Sequence, residues 1–580
     1  MNKYRTNYCG ELTEKDIDKK VTLSGWVNTI RDHGGVLFLD LRDETGITQI
    51  VSNDDAMFNG LAKESVVKIE GKVRLRSEDT INEKLTTGKI EVLASKLEVL
   101  SESKHNLPFE IQNSKSVSEE LRLKYRYLDL RNKEVHDNII FRSKVIDFLR
   151  NKMKELNFTE IQTPILTASS PEGAREFIVP ARKEKGKFYV LPQAPQIFKQ
   201  LLMVGGIDKY FQIAPCFRDE DARSDRLYGE FYQLDFEMAF AEEEDVLSIG
   251  EEVLYELFTK FSDKEVSPKP FRRIPYKEAM LKFGSDKPDL RNPLEIVDIS
   301  SIFKESEFKP FRGNVVRSIT CKGIAKNSNS WFNEVVDFAK TIGMPGIGYL
   351  SYLDDGSFKG PIDKFLTKED RENLIKDASL EKGDVVFFIA NKNERHAANF
   401  AGQIRNHLGE KLELIDKEKF EFCIINDMPF FEYNEETKKY EFGHNPFSMP
   451  QGGLDALNGD NLDEILAYQY DFVCNGVEIS SGAVRNHDIN IMKKAFELAG
   501  YDEEIVKNKF GALYTAFQYG TPPHAGMAPG IDRILMLLKD EDRIRELVAF
   551  PMTSGGEDLM MQSPNTVTEM QLREAHIKIR

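Results

Sequence analysis

The sequence predicts an α+β chain of several domains. A small N-terminal β-barrel precedes a larger domain built on an antiparallel sheet, and a further α/β domain is inserted into the latter. Three observations carry this reading. At 580 residues the chain is too long for one hydrophobic core, and three or four domains are expected. Strand-like runs separated by Gly- or Asp-containing turns crowd the first 107 residues. Farther on, two segments with period-2 alternation flank a charged loop, the pattern of an antiparallel hairpin.

The N-terminal runs are Val21–Val27, Val36–Leu41, Thr48–Val51, Val66–Arg74 and Lys89–Leu100. Asp32-His33-Gly34-Gly35, Glu44-Thr45-Gly46 and Thr87-Gly88 supply turns. Short strands at this density suit a closed barrel, and an OB-fold over residues 1–107 is the expected type. The net charge of −17 argues against indiscriminate binding to a polyanion. That charge is not uniform. Residues 1–107 hold 16 Lys and Arg against 18 Asp and Glu, so the barrel is the part least repulsive to a nucleic acid.

Residues 108–125 read as a hinge rich in Ser, Asn and Lys. A long amphipathic helix follows over about 138–156, with Ile139, Ile140, Val145, Ile146, Phe148, Leu149, Met153 and Leu156 on one broad face. A short strand then runs to Thr163-Pro164. From Glu172 to Phe240 strands alternate around one helix, Gln196–Val204, completing the first part of the larger domain (126–287). Residues 288–420 differ in character, with the Gly-rich turn Gly343-Met344-Pro345-Gly346-Ile347-Gly348 and a helix near Ala397–Leu408, and read as the inserted domain. After about Lys419 strand-like runs resume at Phe420–Ile425, Asp471–Ile479 and Gly511–Tyr519, and 421–580 reads as the second part of the larger domain with a C-terminal tail. Cysteines 9, 216, 321, 423 and 474 lack CxxC spacing and read as reduced thiols of a cytoplasmic protein without a zinc site. No signal pattern or membrane-spanning run is seen, so no membrane partner is expected.

Two motifs carry chemistry. Tyr210–Ala214 and Glu230–Glu237 flank the loop containing Arg218, Asp219, Glu220, Arg223 and Arg226, a hairpin able to clamp something anionic and planar. Gly526-Met527-Ala528-Pro529-Gly530-Ile531-Asp532-Arg533 runs from a glycine-rich turn into an apolar helix, placing Arg533 near the positive end of the helix dipole. Arg218 and Arg533 together can hold phosphates, and Phe231 offers a stacking face for a purine.

With the long helix ending in a strand and Pro164, these segments resemble the three signature motifs of the class II aminoacyl-tRNA synthetases. Motif one is helix–strand–Pro164, motif two Phe217-Arg218-Asp219-Glu220 through Phe231, and motif three Gly530-Ile531-Asp532-Arg533. The barrel resembles the anticodon-binding OB-fold of the Asp/Asn/Lys subgroup. Ser170-Pro171-Glu172-Gly173-Ala174-Arg175, Gln193-Ala194-Pro195-Gln196-Ile197-Phe198-Lys199 and Gly476-Val477-Glu478-Ile479-Ser480-Ser481-Gly482-Ala483-Val484-Arg485 resemble the aspartyl branch. The 288–420 insert is similar to the extra domain of its bacterial form. The resemblance covers essentially the whole chain.

The resemblance implies ATP-dependent activation of L-aspartate to aspartyl-adenylate and its transfer to the 3′ end of tRNA-Asp. It implies catalytic roles for Arg218, Glu478 and Arg533, and ATP contacts from Arg218, Asp219, Glu220, Phe231, Glu478, Gly530, Ile531, Asp532 and Arg533. Asp471 and Glu478 are the implied ligands of Mg2+. Aspartate would meet Glu172, Gln196, Lys199, Arg218, Asp235, His444 and Arg485, with Lys199 and Arg485 on its side-chain carboxylate and Asp235 orienting Lys199. On the barrel, Arg31, His33, Phe38, Gln49 and Glu91 are the implied anticodon contacts. His33 is similar to bacterial members that charge both tRNA-Asp and tRNA-Asn. By analogy with motif one, a homodimer is expected. Ser480-Ser481 stands where the family usually carries glycines, and the loop Leu227-Tyr228-Gly229 lacks a glutamine often found there. The alternatives are an asparaginyl or lysyl enzyme, a tRNA-independent amidoligase, and a non-catalytic RNA-binding relative.

Overall fold

A computed structural model describes residues 2–32, 37–54, 56–104, 106–170, 173–434 and 436–580. The chain divides into two compact units, Met1–Val117 and Ser118–Arg580. In the first, β1 (Lys20–Asp32), β2 (Leu37–Arg42), β3 (Ile47–Ser52), β4 (Val66–Leu75) and β5 (Ile90–Ser101) close a barrel in the order β1-β2-β3-β5-β4. Alternation puts Val21, Leu23, Leu39, Leu41, Ile69 and Val92 inside. The intervening residues form an outer face. The segment expected as a hinge is partly helical: a 3-10 turn spans Ile111–Ser116 and a helix spans Glu119–Lys124. Arg122 explains the order after Ser118. It is buried against Asp129 and forks onto Glu546 at 2.6 and 2.8 Å.

In the second unit, α1 (Lys133–Glu155) starts where Asn132 Oδ1 accepts the Glu134 N–H at 3.0 Å. It stops at Leu156, followed by Asn157 at φ 64°. The chain continues through β6 (Thr159–Glu160), α2 (Gln196–Val204), β7 (Lys209–Arg218), β8 (Gly229–Ala239), α3 (Glu243–Phe261) and β9 (Arg272–Pro275). The inserted region holds β10 (Ile296–Asp298), β11 (Val315–Cys321), α4 (Asn329–Thr341), β12 (Gly348–Tyr352), β13 (Phe358–Lys359), β14 (Val385–Asn391) and α5 (Glu394–Lys411). Its strands form their own sheet, β10-β11-β14-β12-β13. Along β14, Val385, Phe387 and Ile389 enter one core while Val386 and Phe388 enter another, so both faces are covered.

The chain returns as β15 (Phe422–Pro429), β16 (Leu466–Cys474), β17 (Val477–Val484), β18 (His524–Met527) and α6 (Ile531–Lys539). These complete an eight-stranded sheet, β9-β15-β16-β17-β18-β8-β7-β6, antiparallel except at its two edge pairs. Val145 and Leu149 of α1, Leu254 and Phe258 of α3, and Ile531 and Leu535 of α6 share its core with Phe211, Phe236, Phe472 and Met527.

Two expected strands are corrected. Asp471–Ile479 is not one run but the tip of the β16–β17 hairpin, turning at Asn475 (φ 52°) and Gly476 (φ 81°). Asn-Gly is the strongest two-residue hairpin signal, because both positions require positive φ. Gly511–Tyr519 is helical over Gly511–Ala516: Leu513, Tyr514 and Phe517 are the buried positions, a helical spacing. Among the described residues the five cysteines are buried, and no helix is long and apolar enough to cross a membrane.

Candidate active site

The β7–β8 hairpin pairs Arg218 with Gly229, so Phe231, two residues on, shares its face. The Arg218 guanidinium lies 4.8 Å over the Phe231 ring centroid. Its Nε is buried with no hydrogen-bond partner among the described residues, a cationic donor left unsatisfied beside the cleft. Both residues line a cleft with Glu220, Glu478, Gly530 and Arg533. The start of α6 is pinned there. Gly530 N–H donates to Ile479 O at 2.8 Å, and the Asp532 carboxylate accepts from Tyr232 N–H at 3.0 Å and from Arg142. Arg533 Nη1 donates to Glu478 O at 2.8 Å, which holds its guanidinium at the cleft.

A second cavity adjoins the first and shares Arg218, Glu478 and Ser481 with it. Gln196, Lys287, His444 and Asp471 also line it. Burial pushes the Asp471 carboxyl well above the usual carboxylate range, and neighbouring Glu478 pushes it further. Burial acts on Glu478 in the same direction, but Lys287, whose Nζ is 2.7 Å away, prevails with Arg533 and Arg218 and holds it below that range. Burial lowers His444, favouring the neutral imidazole.

Next to this cavity in sequence, but fully buried, is a charge network. Asp235 and Glu237 alternate onto one face of β8. Lys199 Nζ from α2 donates to Asp235 at 2.7 Å and lies 3.3 Å from Glu237. Arg485, just past β17, grips Glu237 through Nε at 2.8 Å and Nη2 at 3.2 Å, and Nη2 also reaches Gly526 O at 3.2 Å. Tyr210 O–H donates to Asp235 at 2.9 Å. A Cβ on Gly526 would lie 2.1 Å from the Glu237 carboxylate, so only glycine admits this contact. Burial alone would raise Glu237; Arg485 and Lys199 instead keep it below its ordinary value.

Comparison with known proteins fits this geometry. The family described as tRNA synthetases class II (D, K and N) matches residues 118–554, and the OB-fold nucleic acid binding domain family matches residues 21–100. The chain is a class II tRNA synthetase of the D, K and N family. It is 54% identical to an Aspartate--tRNA(Asp/Asn) ligase of Rickettsia canadensis, covering 100% of this chain and 98% of that relative. Against the Aspartate--tRNA(Asp/Asn) ligase of Ehrlichia ruminantium the identity is 53%, with 100% and 99% covered. Two solved structures share the fold at 20% identity. A putative aspartyl-tRNA synthetase from Leishmania major aligns at a TM-score of 0.59 over 95% of this chain and 94% of that one. An asparaginyl-tRNA synthetase from Pyrococcus horikoshii complexed with asparaginyl-adenylate aligns at 0.57 over 94% and 98%.

Not every residue expected at the synthetase site lies there in the same way. Arg218, Glu220, Phe231, Glu478, Gly530 and Arg533 gather in the first cleft, while Asp532 lines it with its carboxylate already engaged by Tyr232 and Arg142. Ile531 puts its side chain into the core, leaving only its backbone for a ligand. Asp219 points elsewhere: it accepts from Tyr228 O–H at 2.8 Å and lines a separate open depression with Arg175 and Arg223. Glu220 is ion-paired with Arg226. Lys199 and Arg485 do not line the second cavity, and they are not bare cations, because Asp235 and Glu237 already face them. Glu172 and His33 lie outside the described residues. Sequence reasoning missed Glu237 and Lys287. The signal for Glu237 was a second acid two residues after Asp235, on the same face of a strand whose other face is apolar.

In the first unit, the outer face of the barrel joins three of the expected RNA contacts in one network. Arg31 donates to Asp40 at 2.8 Å and to Gln49 at 3.4 Å; Gln49 donates to Glu91 at 2.8 Å, and Arg74 to Glu91 at 2.7 Å. Phe38 is the cross-strand partner of Arg31. Asp40 and Arg74 were not foreseen.

Proposed function

We propose that this synthetase joins L-aspartate to tRNA-Asp and to tRNA-Asn through an aspartyl-adenylate. The observation that carries the reading is the meeting of two cavities at Arg218 and Glu478. ATP occupies the first, with adenine against Phe231 and the Glu220 side, and phosphates against Arg218 and Arg533. Aspartate occupies the second, with its ammonium toward Gln196 and its α-carboxylate toward Arg218. An oxygen of that carboxylate attacks the α-phosphorus, the bond to the β-phosphate oxygen breaks, and pyrophosphate leaves. The tRNA 3′-terminal hydroxyl then attacks the aspartyl carbonyl, the bond from that carbon to the phosphate oxygen breaks, and AMP leaves with the hydroxyl proton taken up by its phosphate. A carboxylate is already a nucleophile at neutral pH, so in the first step the site must orient and neutralise charge rather than remove a proton.

Asp471 and Glu478 fit the hard-oxygen donor set of Mg2+, and the Lys287 ammonium on Glu478 already supplies a positive charge there. When bound, Mg2+ supplies charge neutralisation to the phosphates.

Selection of aspartate over asparagine follows from donors rather than from unpaired charge. Lys199 and Arg485 carry only N–H groups; they do not line the second cavity, so the side-chain carboxylate must reach past its lining to Arg485 Nη1, which has no hydrogen-bond partner among the described residues. A carboxylate accepts with both oxygens, whereas an amide turns its NH2 against a donor. Arg31, Phe38, Gln49 and Glu91 form the anticodon-reading face of the barrel. The relatives' specificity for tRNA(Asp/Asn) and the residue His33 support charging of both tRNAs. The enzyme acts in the cytoplasm as a homodimer, with α1 of motif one at the subunit contact.

ATP–pyrophosphate exchange with aspartate, asparagine and lysine in parallel tests the reading, followed by aspartylation of purified tRNA-Asp and tRNA-Asn. Exchange with asparagine or lysine but not aspartate overturns it. Failure to charge tRNA-Asn removes the dual specificity. Sedimentation at the mass of a 66.4 kDa monomer removes the dimer.

A further inference from the structure

We propose that His524 and Gln200 are positioning residues that determine which end of the Gln196 amide faces the amino-acid cavity. The proposal rests on the reading above, in which that cavity receives the substrate ammonium.

The Pro522 carbonyl oxygen can only accept, and His524 Nδ1 lies 2.8 Å from it, so Nδ1 carries the proton. In a neutral imidazole Nε2 is then an acceptor. Gln200 Nε2 lies 3.0 Å from it and therefore donates. This turns Gln200 Oε1 the other way, 3.1 Å from Gln196 Nε2, whose N–H donates to it. The Gln196 NH2 group is thus held inward, and its Oε1 is the end left for the cavity it lines. An oxygen there accepts from an ammonium, whereas an NH2 there would oppose one.

The sequence provides the scaffold. Gln196 and Gln200 are one turn apart on α2, and His524 opens β18. Gln200 and His524 have 0% relative exposure, so no solvent competes for their hydrogen bonds. Neither lines the cleft or the cavity. The charged and titratable groups around His524 are Glu237, Arg485 and His487. Burial favours the neutral ring, and Arg485 and His487 reinforce it against Glu237 and the Pro522 carbonyl. A protonated His524 would donate from both nitrogens and reverse both amides.

Succinate has the carbon skeleton and carboxylates of aspartate but no ammonium, so it separates amide orientation from general damage. The experiment compares aspartate affinity, from ATP–pyrophosphate exchange, with succinate inhibition in wild type, Gln200→Met, Gln200→Glu and His524→Asn. In Gln200→Met, aspartate is expected to weaken about tenfold or more with succinate unchanged. Gln200→Glu keeps an acceptor for the Gln196 NH2 and retains aspartate affinity within about threefold. His524→Asn keeps the donor to Pro522 but is too short to engage Gln200. It should lose the aspartate preference as Gln200→Met does, and it serves if Gln200→Met fails to fold. Equal weakening of both ligands, or an unmoved ratio, overturns the relay while leaving wild-type exchange intact. Absence of aspartate-dependent exchange in wild type overturns the functional reading and the proposal with it.

Discussion

The barrel face and the buried charge network around Glu237 are built from the same material, Arg or Lys side chains facing acidic ones on strands, but in different surroundings. The side chains of Arg31 and Arg74 are 43% and 45% exposed, whereas those of Lys199 and Arg485 are 3% and 2% exposed. Water reaches the guanidiniums of the first pair, although their partners Asp40 and Glu91 are themselves buried, so these arginines change partners at less cost than Lys199 and Arg485 would. The second pair cannot be rehydrated, so each acid that faces it is structural as well as functional.

The largest test of this contrast is Glu237→Gln. It leaves two buried cations facing one acid, and a loss of about 3–5 kcal/mol in chemical denaturation is expected, with loss of aspartate-dependent exchange. A loss below about 1 kcal/mol, the surface value, would collapse the contrast. Arg218→Gln sharpens it from the other side. Its Nε has no partner among the described residues, so exchange should fall about 100-fold or more while the melting temperature hardly moves. A large drop in melting temperature would make Arg218 part of the scaffold instead. Arg31→Ala and Arg74→Ala should each cost less than about 1 kcal/mol and leave exchange intact. They should also raise the KM for tRNA, with a weaker dependence on salt than wild type. Unchanged tRNA kinetics would remove the barrel face from recognition.

Glu243, at the start of α3, gives an effect seen only as a pH dependence, with a titration of opposite sign to Glu237. Burial, with Asp427 and Glu244 nearby, raises it to about 7. A carboxyl whose folded pKa exceeds its unfolded one takes up a proton on folding, so stability declines as pH rises from about 4.5 through about 7. Glu243→Gln should flatten that decline in melts at pH 5 and pH 8. An identical slope in both proteins would show that Glu243 does not contribute.

The fold was legible wherever one face of an element is wet. The barrel strands, the α1 stripe and the helix Gln196–Val204 all follow from alternation or a 3.6-residue period. The misreadings came where periodicity is silent. Asn475-Gly476 punctuates a run that is apolar on both sides, and Gly511–Ala516 has too few residues to separate the two periods. At the site, Arg218, Phe231, Glu478 and Arg533 were readable because each lies in a short segment whose residue order carries the family resemblance. Glu237 and Lys287 were not, because their importance comes from partners 248 and 191 positions away. Nor could a sequence show that Asp532 is engaged by Tyr232 and Arg142.

Arg218 and Glu478 belong to both cavities. A ligand that draws the Arg218 guanidinium to one side alters the charge offered on the other, so two ligands, one in each cavity, cannot bind as strangers. Whatever factor one imposes on the affinity of its neighbour must be returned in the same measure. The order in which the two arrive is then a matter of concentration and rate, and the shared arginine makes the doubly occupied state the one in which each ligand reports on the other.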